Sequence, residues 1–217
     1  ICSVFILGGM TSCEDFLDKR EDVGLTEDDI FRDYYSLRGF LDQSFNQLEN
    51  VMVMDNWENG RAFVGLFADE MATTDNSSAV FTLHSGNWLS NAKSSTTFEI
   101  GNGGSTAISR SYKALRINNR IINDIDKAPL TPEQKNEILG QAYFYRSWFY
   151  FQIIKRYGGM PIIDKVFEGG DDDISRITYH ESHDWMMEDI QKAIYMLPDS
   201  WDDPNYGRPT KIAAMAL

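Results

Sequence analysis

Seven aromatic side chains fall within the nine residues from Tyr143 to Phe151. The stretch AYFYRSWFYFQIIKRYGGMP, Ala142 to Pro161, constrains the chain more than any other. That much apolar surface needs a ligand, a membrane or a place inside a scaffold. At about 100° per residue, Ala142, Tyr145, Phe149 and Ile153 share one helical face and Tyr143, Tyr150, Ile154 and Tyr157 a second. Phe144, Trp148 and Phe151 fill the remainder. A helix apolar all round lies in a membrane or between neighbouring helices. Gln141, Arg146, Gln152, Lys155 and Arg156 interrupt the run, which rules out a membrane span and leaves burial between packed helices. Arg146 then sits in an apolar sector and needs a carboxylate or carbonyl partner. A structural tie between helices is the expected role, ahead of catalysis.

The rest of the chain supplies helices for it to pack against. Thr26 opens a first helix with Glu27, Asp28 and Asp29 in its first turn. Ile30, Phe31, Tyr34, Leu37, Phe40, Leu41, Phe45 and Leu48 then form one stripe to about Val51. RAFVGLFADEMATTD reads as a short helix ending near Met71, and the Ser-, Thr-, Asn- and Gly-rich residues 73–105 as a long irregular loop, a length associated with function. A second long helix is expected from about Thr106 to Asp126. Thr131, Pro132 and Gln134 form a capping box for the aromatic helix, which Gly158-Gly159 and Pro161 stop. MPIID reads as a brief extended piece and EGGDDDISR as a turn-rich loop. A helix from about His180 to Leu197 follows, and GRPTKIAAMAL starts another. The predicted fold class is all-α.

The net charge of −13 argues against a nucleic-acid surface. Cys2 and Cys13 are the two cysteines, so a disulfide framework and a cysteine-based metal site are both excluded. ICSVFILGGMTSC is too short to span a bilayer and reads as the apolar region of a signal peptide, residues 1–12. Thr11 and Ser12 before Cys13 resemble a bacterial lipobox, in which cleavage precedes lipidation of the cysteine thiol. The competing reading is an apolar N-terminal strand. With no initiator Met and a helix just begun at Leu217, the chain is expected to be truncated at both ends.

GQAYFYRSWFYFQIIKRYGGMPII resembles the signature of the SusD/RagB family, Gly-Glu-Ala-x-x-x-Arg-Ala, then aromatics, then Tyr-Gly-Gly-x-Pro. Gly140, Ala142, Arg146, Tyr157, Gly158, Gly159 and Pro161 match it. Gln141 replaces the usual acid and Ser147 the usual Ala, so a salt bridge from that acid is not expected here. YKALRINNRIINDI resembles the family's Tyr-x-x-Ile-x-x-x-Asn helix through Tyr112, Leu115 and Asn119. MMEDIQKAIYMLP resembles its Asp-Leu-x-x-Ala-x-x-x-Leu-Pro helix through Asp189, Ile190, Ala193, Leu197 and Pro198, and GRPTKIAAMAL its Gly-Arg-x-Thr segment. The resemblance implies a tetratricopeptide-like helical repeat scaffold with long irregular loops, of which residues 13–217 form an N-terminal part. It also implies a lipid-anchored protein at the outer-membrane surface of Bacteroidetes-type bacteria. Such a protein captures glycans or other nutrients for a TonB-dependent, SusC-like transporter, with no cofactor and no catalysis.

Other motifs have plainer readings. HESHD has His180 and His183 one residue short of the zincin spacing, with His84 remote, so a polar first turn explains it. GNGGST lacks the Lys and preceding strand of a phosphate cradle, and Asp171–Asp173 lack calcium-loop alternation. No pair of carboxylates is marked out for glycoside hydrolysis, and a hydrolase remains an alternative. So does a helical scaffold that binds protein alone. Sugar binding needs an exposed aromatic face with polar groups that grip hydroxyls. HSGNWLSN offers this through Trp88, with His84, Asn87 and Asn91 beside it; the competing reading packs Trp88 onto the helices. Trp57 and Trp201, in loop-like settings, are secondary candidates, while Trp148 and Trp185 are assigned to the core.

Overall fold

The computed structural model describes residues 26–48, 107–167 and 174–217. Among these every regular element is helical: α1 Glu27–Ile30, α2 Tyr34–Phe45, α3 Ala107–Asp124, α4 Pro132–Tyr157, α5 Tyr179–Met196 and α6 Lys211–Ala216. Short 3-10 turns at Ile125–Lys127 and Asp203–Asn205 follow α3 and precede α6. The helix expected near Met71 and the loop expected over 73–105 lie outside the described residues.

Local signals set most boundaries. Thr131 Oγ1 accepts from the Gln134 N–H and Gln134 Oε1 accepts from the Thr131 N–H, closing the capping box at the start of α4. α4 stops at Gly158, whose φ of 76° and ψ of −155° lie in a region that side chains rarely enter. The first helix departs from expectation. The stripe from Ile30 to Leu48 is split by Phe31–Asp33, because Asp33 supplies a second N-cap, its carboxylate accepting from the Ser36 N–H at 2.8 Å. Both caps satisfy orphan amides, and the chain turns between them. At α5 the cap is Thr178, boxed with Glu181, rather than a polar turn beginning at His180.

α3 and α4, joined by the short link 128–131, form an αα-hairpin, and α4 packs equally extensively on α5. α2 lies against α3 and α4, and α6 against α5. Leu37 and Leu41 from α2, Leu115 and Ile121 from α3, Ile138, Tyr150, Ile153 and Ile154 from α4, and Ile190 from α5 are fully buried in the shared core. Each such aliphatic side chain contributes about 1.5–3 kcal/mol of burial. α4 is therefore the central helix, as its sequence required. It is not buried on every side, however. Tyr143, Phe144, Trp148 and Phe151 are half-buried, with Phe144 and Trp148 stacked at 6.5 Å. Among the described residues three helices pack on α4, and these aromatics lie on the sector that those three leave.

α1 is tied to α3 by charge. Arg120 donates to Glu27 at 2.6 Å, and Lys127 bonds the same carboxylate. No described helix is long and apolar enough to cross a membrane.

Candidate functional site

At the centre of the helical layer sits a buried ionic node. Arg146 of α4, 4% exposed, donates through Nε and Nη2 to the two carboxylate oxygens of Asp189 on α5, at 2.5 and 2.8 Å. Its Nη1 donates to Asn119 Oδ1 of α3 at 3.0 Å. The guanidinium also lies 5.4 and 5.1 Å from the ring centres of Tyr143 and Trp185. One fork thus engages all three long helices. This bidentate geometry is the arrangement in which a buried charge pair is best compensated. Asp189 went unidentified as the partner in the sequence. Its signal was a carboxylate on the apolar stripe of α5, at helical spacing with Met186, Ile190 and Ala193.

The node extends into a segment without regular structure. Asn119 Nδ2 donates to the carbonyls of Ile163 and Lys165 at 2.9 and 3.0 Å. The Tyr150 hydroxyl reaches the carbonyls of Met160 and Pro161 at 2.9 and 3.1 Å. Ser182 Oγ accepts from the Met160 N–H at 3.0 Å, and Arg176 donates to the Gly159 carbonyl at 2.8 Å. The backbone groups of MPIID are met by side chains in place of a sheet or helix partner. Gly159 lets it pass: a Cβ there would meet the Ile177 carbonyl oxygen at 2.2 Å. Gly158, Gly159, Pro161 and Arg146 therefore shape and anchor this strap.

Two surface clefts flank the frame. One, of about 390 Å³, is lined by Tyr112 and Arg116 of α3 and by Ile163, Lys165 and Phe167 of the strap, with Ile174 at its rim. The other, of about 350 Å³, lies between the C-terminal end of α2, Tyr145 of α4 and the turn 204–208. At its edge Arg208 donates to both oxygens of Asp42, at 2.7 and 2.8 Å, and to Gln141 Oε1 at 3.0 Å. Gln141 thus still meets a cation where the signature carries an acid, and Asp42 supplies the carboxylate. Burial pushes the Tyr145 hydroxyl pKa upward, with Arg208 and Asp42 as its charged surroundings. This second cleft was missed in the sequence because its parts come from positions 42–46, 145 and 204–208.

The sequence-derived ligand residues Trp57, Asn87, Trp88 and Asn91, together with His84 and the lipidation candidate Cys13, lie outside the described residues. Trp201 is part of the frame: its Nε1 donates to the Pro209 carbonyl at 2.8 Å and it packs beside Ala193, Leu197 and Ala214. Trp185 meets Tyr150 edge-to-face at 4.7 Å. His180, exposed, and His183, half-buried, lie beside Asp184. Among the described residues no three His, Cys, Asp or Glu side chains converge on a metal position.

A family model described as SusD-like, starch-binding and associating with the outer membrane matches residues 15–217. Among solved structures, a SusD-like protein from Bacteroides fragilis superposes with a TM-score of 0.67 at 24% identity, over 88% of this chain and 35% of that one. A laminarin-binding SusD-like protein gives 0.59 at 15% identity, over 84% and 38%. A surface glycan-binding protein from Bacteroides uniformis gives 0.63 at 13%, over 83% and 39%. The chain thus spans less than two fifths of the length of these three structures. No curated protein sequence matches it significantly. The shared architecture is all-α and tetratricopeptide-like.

Proposed function

This chain belongs to the SusD-like family, and from that premise we propose that it is part of a glycan- or nutrient-binding protein of the outer-membrane surface, without catalytic activity. The observation that carries the reading is the family match over residues 15–217; Asn119, Arg146 and Asp189 of the node and Gly158, Gly159 and Pro161 of the strap are also positions of the sequence resemblance. Solved relatives described as laminarin-binding and surface glycan-binding support the ligand class. In this reading the lipidated Cys13 anchors the protein, and a TonB-dependent, SusC-like transporter receives the ligand. Trp88 stacks on the apolar face of a sugar ring while Asn87 and Asn91 bond its hydroxyls, with Trp57 as a further aromatic contact. The helices serve as the rigid frame that presents these loops.

A glycan array followed by calorimetric titration of the full-length protein tests this. Reversible binding of at least one oligosaccharide is expected, weakened by Trp88→Ala with the melting temperature unchanged. Binding untouched by Trp88→Ala removes that residue from the site. An array without hits, with the protein still co-purifying with a transporter, would replace the glycan reading with a scaffold that binds protein alone. Product release from the array glycans would make the protein a hydrolase.

A further inference from the structure

α3 runs against the charge of the rest of the chain. Over its 18 residues it carries Arg110, Lys113, Arg116 and Arg120 against one carboxylate, Asp124, in a protein of net charge −13. Arg120 is engaged by Glu27 and Asp124. Arg116 is exposed and, among the described residues, meets no carboxylate. Tyr112 lies one turn before it on the same helical face, and both residues line the cleft of about 390 Å³ beside the strap. Arg110 and Lys113, at three-residue spacing, add positive charge along that side of the helix.

The strap wall of the cleft is fixed from behind. Asn119 donates to the carbonyls of Ile163 and Lys165 and itself accepts from Arg146. The lining segment is therefore tied to the buried node, and its course is set before any ligand arrives. Phe167 is half-buried, with the Lys165 ammonium 5.5 Å from its ring centre. Ile174 stands at the rim, 38% exposed. Tyr112 is the aromatic on the helical side, and burial raises the pKa of its hydroxyl, which stays a protonated donor. No Asp, Glu, Asn or Gln side chain is among the described residues that line this cleft.

We propose that this cleft binds a small organic anion with an apolar body, an aromatic or branched-acyl carboxylate. The carboxylate meets Arg116, with Lys165 beside it, while Tyr112, Phe167 and Ile174 hold the body. The lining decides the class. A sugar ring presents many hydroxyl donors, and the described lining offers no amide or carboxylate side chain to accept them. A neutral apolar molecule would leave Arg116 without a counter-charge. A polyphosphate would bring several charges to a wall that is mostly apolar. At about 390 Å³ the space lies at the small end of the roughly 300–1,000 Å³ typical of ligand sites, which suits one ring or a short branched chain. The inference goes beyond the saccharide reading and does not rest on it; Trp88 takes no part.

The test is fluorescence titration of the full-length protein with anilinonaphthalene sulfonate, an anion with an apolar ring body. The dye is then displaced with phenylpropionate or with its neutral counterpart, phenylpropanol. Phenylpropionate should displace it, and phenylpropanol should bind about tenfold more weakly, the scale of one hydrogen bond to a charged group. Arg116→Gln should weaken phenylpropionate by about tenfold and leave phenylpropanol unchanged. Phe167→Ala should weaken both by roughly fivefold, the scale of one aromatic contact. Lys135→Gln, at the start of α4, should change neither. Because Arg116 is exposed, its substitution should keep the wild-type melting temperature, so a lost affinity is not lost folding. Equal displacement by the acid and the alcohol refutes the anion site, as does an Arg116→Gln variant with both affinities intact. Absence of binding by both the dye and phenylpropionate refutes it too. A glycan that displaces the dye and is itself weakened by Arg116→Gln would put a sugar in this cleft and overturn the assigned class. The Trp88 reading is decided separately by the glycan array.

Discussion

Replacing Asp189 by Ala isolates the buried node. In the native protein Arg146 makes three charge-assisted or amide bonds, two of them to Asp189. The substitution leaves a guanidinium 4% exposed, with Asn119 Oδ1 and the faces of Tyr143 and Trp185 as its remaining support. Uncompensating one member of such a pair costs about 3–5 kcal/mol. The reverse change, Arg146→Met, should cost less, because Lys192 lies 3.3 Å from Asp189 Oδ1 and reaches it from a 45% exposed position. The double variant Arg146→Met with Asp189→Leu removes both charges, and its destabilisation should fall short of the summed single effects by about 2 kcal/mol or more. Urea denaturation followed by circular dichroism measures all three. An Asp189→Ala cost below about 1 kcal/mol, the level of an exposed ion pair, would refute the claim that this node ties α3, α4 and α5 together. Additive single effects would refute the direct coupling.

Gly159→Ala should destabilise by about 1–3 kcal/mol, the overpacking range, since the new Cβ meets backbone at 2.2 Å; an unchanged urea midpoint would contradict the close passage of the strap. Thr131→Ala should cost about 1 kcal/mol through the lost N-cap of α4, read from the same titration, and Thr131→Ser should restore most of it. The Glu181 carboxyl is held below its ordinary value of 4.5 by bonds from the Thr178 hydroxyl and N–H. Its native pKa is the lower one, so the stabilisation is present above pH 4.5 and is lost as the pH falls through the native pKa. Glu181→Gln should therefore lower the melting temperature at pH 7, with the gap to wild type closing below about pH 4.5; a gap that widens on acidification would reverse the assigned sign.

Helix type and most helix ends were legible because they depend on near neighbours. A threonine with Gln134 three residues on, or a Gly-Gly-x-Pro stop, acts within one turn, and α4 begins and ends where those signals place it. The same local logic exposed a limit at α1 and α2. Phe31 continues the apolar stripe, so periodicity alone joined two helices that Asp33, a competing cap, separates. Burial of α4 between helices was legible, but its extent along each face was not. Hydrophobicity says that a surface should be covered, but not by what, and among the described residues Trp148 and Phe151 stay half-buried. Arg146 could be recognised as needing a partner because a buried charge is costly anywhere. Choosing Asp189, 43 residues away, required the packing of α4 on α5. The cleft beside Arg208 is the extreme case, since Asp42 and Arg208 meet across 166 residues and no local pattern relates them. Sequence by itself determined what each segment needs: a cap, a stop, cover or a counter-charge. Only the tertiary structure decided which distant group meets that need, because pairing depends on where whole helices lie and not on the residues beside them.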